Sequence, residues 1–484
     1  MSIRKNNYLL LIILVALSNK QSYSQTDDYH KSLNNYSFGL YNKIKVENEN
    51  AFLSPLSSYN TLLMGYEGSK GITRQEFVKV LNLDESSNMN IQYLHGLAFE
   101  SDSSSILKVS NSIWADKNLN LEEVYINSIK DKYHSDIKRP LFVNKDSTIS
   151  EINDWVARNT NHRITRIVNA RNVDPDTKLL IIDAVYFNGE WSNKFMGRNT
   201  RSAPFYTSID NQYKVHLMNI IETLQYYEND LLQFISKPYK DSVLSFCVIL
   251  PKDIFGIGKV ENRLNTDYLN LLLDSTYKTK VSLSLPKLEL ESSLKLKEAL
   301  NKMGLNSAFS RNADFSGISR DTSLMLGQVL HKAWIGLDEY KTESAAATST
   351  GIRITGLPSY KIFNADHPFV FLIIDNRTRG IIFIGRYCEP VGYERIQGGL
   401  ESLTKKLENR RKEKFSIGNE SKNLIIVDNK IFSPAEFARI NPKEIESIEL
   451  VRDEKEMRKY SKERYDAVIV VRLIKKRGRK RDKK

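Results

Sequence analysis

Cysteine is nearly missing from this chain: among 484 residues there are two, Cys247 and Cys388. That scarcity excludes a small disulfide-stapled scaffold, and 41% apolar composition supplies material for a large core and more than one folded unit. Both cysteines adjoin runs that read as strands, SFCVIL and GRYCEP. Two buried thiols are favoured over a disulfide, because nothing in the sequence brings the pair within bonding reach. Histidine is sparse and scattered, at positions 30, 95, 134, 162, 216, 331 and 367, with no H-E-x-x-H and no Cys/His cluster. A G-x-S-x-G elbow and a phosphate-cradling glycine loop are also lacking. A triad assembled from distant residues leaves no such local trace, but no residue is nominated for one. No metal, no cofactor and no enzymatic activity are therefore expected.

Long apolar runs are lacking everywhere except near the start. MSIRKNN is followed by Tyr8–Leu17 (YLLLIILVAL) and by Ser22-Tyr23-Ser24 ahead of Gln25, the order of a secretory signal peptide. Ten apolar residues are too few for a bilayer, which takes about 20, and no cysteine stands at the cleavage point for a lipid. Residues 1–24 are expected to be removed on export, giving an extracellular or periplasmic protein.

Charge is unevenly spread. The net charge is +13, and residues 391–484 hold 26 Lys+Arg against 16 Asp+Glu. KKRGRKRDKK (Lys475–Lys484) suits an envelope protein or an anionic surface by simple attraction, and equally a solvated tail. It has no interleaved aromatics and no nucleic-acid motif, so specific nucleic-acid binding is not expected.

Ser54-Pro55 ahead of LSSYNTLLMGYEG sets a capping hydroxyl and a first-turn proline before a helix, which Gly68 and Gly71 then break. LLIIDAVYF (Leu179–Phe187) reads as a strand buried on both faces, and VSLSLPKLEL (Val281–Leu290) as a strand with one wet face. FVFLIIDNRTRGIIFIG (Phe369–Gly385) reads as a hairpin. Helical and strand periods follow no regular βαβ order, so the fold class is α+β. After Pro390 the texture becomes charged, then order resumes in NLIIVDNK, a helix-like SPAEFARI, ESIELV and YDAVIVVRL, a β-α-β-(α)-β pattern. The expected division is a signal peptide over 1–24, a main domain over 25–392, a charged linker over 393–420, a small α/β domain over 421–473 and a basic tail over 474–484.

One stretch fits none of these elements: DEYKTESAAATSTGIRITGLP (Asp338–Pro358). From Thr342, alternate residues are Thr342, Ser344, Ala346, Thr348, Thr350, Ile352 and Ile354, and both charges, Glu343 and Arg353, fall in the other set. A strand with these faces buries the uncharged set, and its small residues let it pass between existing strands without overpacking. A flexible Ala/Ser/Thr linker explains the same composition.

Seven ordered blocks then resemble the serpin family over Tyr36–Pro390: Ala51–Thr73, INDWVARNT (Ile152–Thr160), DAVYFNGEW (Asp183–Trp191), LSLPKLELE (Leu283–Glu291), Met303–Ser319, VLHKAWIGLDE (Val329–Glu339) and FNADHPFVFLI (Phe363–Ile373). The resemblance implies a serpin fold of three β-sheets and about eight to nine helices with an exposed reactive-centre loop. It implies a suicide-substrate inhibitor of serine endopeptidases, with cysteine endopeptidases as a further target class. The protease cuts the loop, and the loop inserts into the central sheet before the acyl-enzyme hydrolyses; a covalent complex with the target follows. Glu339 matches the acidic position at the loop base and Lys287 its salt-bridge partner. Thr342 matches the small residue that enters first, and the hinge runs on through Glu343, Ser344, Ala345, Ala346, Ala347 and Thr348. Ser54, Ser57, Asp183 and His331 match the cluster beneath the sheet's opening point, and Trp191 the tryptophan near the insertion site. Three positions depart from the inhibitory pattern: Tyr340 replaces glutamate, Lys341 glycine and Asp183 asparagine. Counting seventeen positions from Glu339 sets the scissile bond at Thr355-Gly356, with Arg353-Ile354 as the alternative. The C-terminal part resembles the plug-type module of TonB-dependent receptors, which suggests docking. The alternative function is a non-inhibitory serpin-fold binding protein that works through this basic C-terminal region.

Overall fold

The computed structural model describes residues 29–84, 105–170, 173, 177–208, 211–240, 242–320, 324–339, 360–397, 423–432, 437, 440, 445–451, 457–461 and 467–473. Helix α1 (29–44) and the short strand β1 (Ala51–Leu53) lead to α2 (Pro55–Glu67). The extended backbone of Ser54 and its hydroxyl, which accepts from the Ser57 N–H at 3.3 Å, cap α2 with Pro55 in its first turn. All of Pro55–Gly65 is buried, so α2 is a central helix with no wet face. It ends at Gly68, where a Cβ would meet the Ile318 side chain at 2.1 Å.

The chain continues through α3 (Gly71–Leu81), β2 (Ser105–Ala115), α4 (Glu123–Tyr133), β3 (Asp136–Lys138), α5 (Lys145–Asn159), β4 (Leu179–Gly189), β5 (Arg201–Tyr206), β6 (Asn211–Glu228), β7 (Leu232–Pro238) and β8 (Leu244–Pro251). Next come α6 (Ile257–Glu261), α7 (Thr266–Asp274), β9 (Tyr277–Pro286), β10 (Leu288–Lys295), α8 (Lys297–Met303), β11 (Gln328–Leu337), β12 (Lys361–Asn364), β13 (Phe369–Asp375), β14 (Ile381–Tyr387) and β15 (Glu394–Gln397).

These strands form three sheets, the number that the resemblance implies. The central sheet has the order β10-β11-β4-β2-β3. The other two sheets share the long β6, whose first residues pair with β5 and β15, whose Leu217–Tyr226 pair with β9 and whose end pairs with β7, so they run on as one hydrogen-bonded ladder. β4 is buried from Leu179 to Phe187, an apolar run interrupted by Asp183 alone, and β13 and β14 form the expected antiparallel hairpin. Cys247 and Cys388 are free and buried, and burial pushes both thiols up to about 12.

VSLSLPKLEL is not one strand. The structure divides it at Lys287 between two sheets, β9 pairing with β6 and β10 with β11. Val281, Leu283 and Leu285 are buried on one side of the break and Leu288 and Leu290 on the other, so the phase of the alternation slips by one residue there. Pro286, which has no N–H to donate to a ladder, marks the place.

Beyond Pro390 two features differ from expectation. Residues expected to begin a charged linker form β15, paired with Asn211–Lys214 of β6. The small C-terminal unit is a four-stranded sheet built from β16 (Asn423–Val427), β17 (Lys430–Phe432), β18 (Ile445–Val451) and β19 (Ala467–Leu473), in the order β17-β16-β19-β18. Its extra strand, β17, comes from a tight turn at Asp428-Asn429, both at positive φ. Apolar clusters cover both faces: Ile425, Val427, Phe437, Ile469 and Val471 on one, and Leu424, Ile426, Val451, Val468 and Val470 on the other. Of SPAEFARI only Phe437 and Ile440 are among the described residues.

Candidate functional site

β4 and β11 are direct neighbours and run parallel, in register from Leu180↔Gln328 to Phe187↔Ile335. Their outer partners, β2 and β10, run antiparallel to them. The middle of this junction holds a row of polar residues: Asn111 of β2 stands opposite Asp183 of β4, and Asp183 opposite His331 of β11. His331 Nδ1 lies 2.5 Å from Asp183 Oδ1, and both side chains are fully buried. The Ser54 N–H donates to His331 Nε2 at 3.1 Å. Because Nε2 accepts, the imidazole proton sits on Nδ1 and points at the carboxylate. The Ser54 hydroxyl donates to the Ile382 carbonyl of β14 at 2.8 Å, and the Ser57 hydroxyl to Asn111 Oδ1 at 3.1 Å. Asp183 Oδ2 is buried and has no hydrogen-bond partner among the described residues, a cost that burial imposes on an unmatched acceptor.

Where β11 ends, Trp191 Nε1 donates to the Asp338 carbonyl at 2.9 Å. The indole is stacked on Tyr239 at 4.7 Å between centroids, with the Lys237 ammonium 5.3 Å from its own centroid. Lys237 is buried against Glu222; burial draws its ammonium below the usual lysine range, opposed by the Glu222 charge. The next residue, Glu339, is tied to Lys287 at 2.5 Å and accepts from the Thr200 hydroxyl. Burial alone would push this carboxyl up, but the Lys287 and Thr200 hydrogen bonds outweigh it and hold it below the usual carboxylate range.

Ser54, Ser57, Asp183 and His331 thus form one connected cluster beneath the β4/β11 junction, and Trp191, Lys287 and Glu339 gather at its upper end, where β11 runs out. Lys341, Thr342, Glu343, Ser344, Ala345, Ala346, Ala347, Thr348, Arg353, Ile354, Thr355 and Gly356 lie outside the described residues.

Sequence reasoning missed a second set on the opposite face of the junction. Tyr186 and Trp334 stand opposite each other on β4 and β11 and stack at 5.0 Å. Trp334 Nε1 donates to Glu289 at 2.9 Å, and the Arg163 guanidinium lies 5.1 Å from its ring. Lys332 binds the Arg166 carbonyl and Glu291. Parity carried a signal: Ile182, Ala184, Tyr186, Leu330 and Trp334 share a face and join the α5 cluster of Ile152, Trp155 and Val156, while Asp183 and His331 point to α2.

A family model described as Serpin (serine protease inhibitor) matches residues 31–390. The chain belongs to the serpin family. It is 36% identical over 368 residues to a serpin-like protein of Thermococcus kodakarensis, a match covering 74% of this chain and 85% of that protein. It is 34% identical to the leukocyte elastase inhibitor of Xenopus laevis, covering 73% of this chain and 97% of the relative. Among solved structures, the thermophilic serpin tengpin in its native state aligns with a TM-score of 0.67 at 32% identity, over 75% of this chain and 93% of tengpin. Uncleaved ovalbumin aligns with a TM-score of 0.70 at 24% identity, over 75% of this chain and all of that one, a likeness of fold.

Proposed function

We propose that this serpin is an exported suicide-substrate inhibitor of serine endopeptidases, trapping the acyl-enzyme by inserting its cut loop between β4 and β11. The parallel pairing of these two strands carries the reading. A chain that leaves the end of β11 and folds back runs antiparallel to β11 and, because β4 is parallel to β11, antiparallel to β4 as well. One parallel ladder is exchanged for two antiparallel ones, the more stable kind per residue. Insertion of about a dozen residues adds backbone hydrogen bonds of about 1 kcal/mol net each, comparable to the whole stability of an ordinary domain, about 5–15 kcal/mol. Strand insertion is a general recognition and switching mode of which serpin loops are themselves an example.

The hinge composition, Thr342 followed by Ser344 and three alanines, supports entry of the loop. Thr355-Gly356 as the scissile bond favours proteases that accept small or branched residues, and relatives named leukocyte elastase inhibitor agree with that preference. The alternative cut at Arg353-Ile354 calls for a trypsin-like target, and a papain-like cysteine protease fits through Ile354. In this reading residues 1–24 direct export, and the basic C-terminal unit, with its plug-like sequence order, docks the inhibitor to an envelope protein or anionic surface.

Incubation with a protease panel tests the proposal. SDS-resistant complexes that vanish in Thr342→Arg support it; simple turnover by every protease overturns it. The competing reading, a non-inhibitory binding protein, draws on Lys341 in place of a backbone-permissive glycine. Under that reading clipping the loop leaves the melting temperature unchanged, whereas insertion raises it.

A further inference from the structure

The family match stops at residue 390, yet the next residues stay on the same body. Gly392, at φ +78, turns the chain, and β15 then pairs Glu394 with Lys214 and Arg395 with Tyr213 of β6. The pairing is reinforced by Arg395 binding Asn211 and, just upstream, by the Tyr213 hydroxyl donating to Glu389 at 2.7 Å. Between turn and strand, the half-buried Tyr393 packs edge-on against His216 at 5.8 Å, and its hydroxyl donates to the Lys287 carbonyl at 3.2 Å. The Lys287 N–H in turn donates to the His216 carbonyl at 2.9 Å. Lys287 is the residue at which the chain crosses from β9 to β10, and its ammonium holds Glu339 at the loop base. Burial pushes the Tyr393 hydroxyl up, and the Glu339 charge adds to that rise, so the two groups share one electrostatic neighbourhood.

We propose that residues 391–397 brace the base of the loop, with Tyr393 the positioning residue that fixes Lys287 and thereby slows entry of the loop between β4 and β11; this rests on the inhibitory reading above. Lys287 is pinned by backbone contacts on both sides, through its N–H to His216 and its carbonyl to Tyr393. Its ammonium is thus presented to Glu339 from a fixed point, and Glu339 must move before the residues after it can enter the sheet.

The test uses full-length protein and a fluorescein-labelled peptide of residues 342–353, TESAAATSTGIR, whose uptake into the central sheet is followed by anisotropy. Tyr393→Phe, which deletes only the hydroxyl, is expected to take up the peptide about 5-fold faster, what one net hydrogen bond amounts to. Tyr393→Ala is expected to be faster still. Loop-clipped forms of both variants are expected to match the clipped unaltered protein in urea, because the brace acts only before insertion. Equal uptake rates overturn the brace, as does a matching loss of stability in the clipped forms, which would mark a general packing defect. If the unaltered protein neither takes up the peptide nor gains heat resistance on clipping, the inhibitory reading itself falls and the brace falls with it.

Discussion

Two junctions between strands behave differently. β8, β13 and β14 meet through antiparallel ladders whose residues are all buried, with Phe246 against Phe371 and Phe52 against Phe383, each at 5.5 Å. Their polar residues, Ser245, Asp375 and Arg386, stand near strand ends. β4 and β11 meet through a parallel ladder with Asp183 and His331 buried in its middle. Under the proposed function the second junction would trade its parallel ladder for two antiparallel ones by taking an intervening strand, and the contacts of its polar row would break as it did so.

This contrast can be broken experimentally, beginning with the largest effect. Phe371→Ala, in the apolar junction, is expected to cost about 3–5 kcal/mol in urea unfolding, in native and clipped forms alike. A loss confined to the native form would erase the distinction between the junctions. Ser54 belongs to both: its hydroxyl holds Ile382 of β14 while its N–H holds His331. Ser54→Ala is expected to cost about 1–2 kcal/mol through the lost cap and hydrogen bond, read by the same titration. Asp183→Asn removes the charge from a buried oxygen that has no partner among the described residues, and is expected to stabilise the native form by about 1 kcal/mol. An equal loss instead would show that the carboxylate is the better partner for His331.

The smallest effect concerns pH. The Glu339 carboxyl is held below its ordinary value of 4.5 in the folded state. Its contribution is therefore present above pH 4.5 and is lost as pH falls through the depressed folded value. Lys287→Met should flatten that acid limb while changing neutral-pH stability by less than about 1 kcal/mol, as befits a partly exposed ion pair. An unchanged acid limb would remove the loop-base tie from consideration.

Local signals made much of the body legible. Ser54-Pro55 announced α2, the nearly all-apolar LLIIDAVYF announced β4, and the resemblance grouped Ser54, Ser57, Asp183 and His331. What escaped notice depends on register between distant segments. The pairing of Asn111 with Asp183 needs β2 aligned on β4 across dozens of residues, and the Tyr186–Trp334 stack needs the same of β11. The slip at Lys287 was written in the positions of the leucines, but a continuous alternation hid it. β15 was concealed by composition, since its Glu394 and Arg395 are exposed and give a strand no apolar stripe to betray it.

The two thiols supply a built-in reporter. Cys247 lies mid-strand in β8 and Cys388 just past β14, both shielded and protonated at neutral pH. Neither belongs to the sheet that would admit the loop. Alkylation therefore counts molecules whose scaffold has come apart and stays silent for those that have only relaxed, so a single mass measurement separates damage from action.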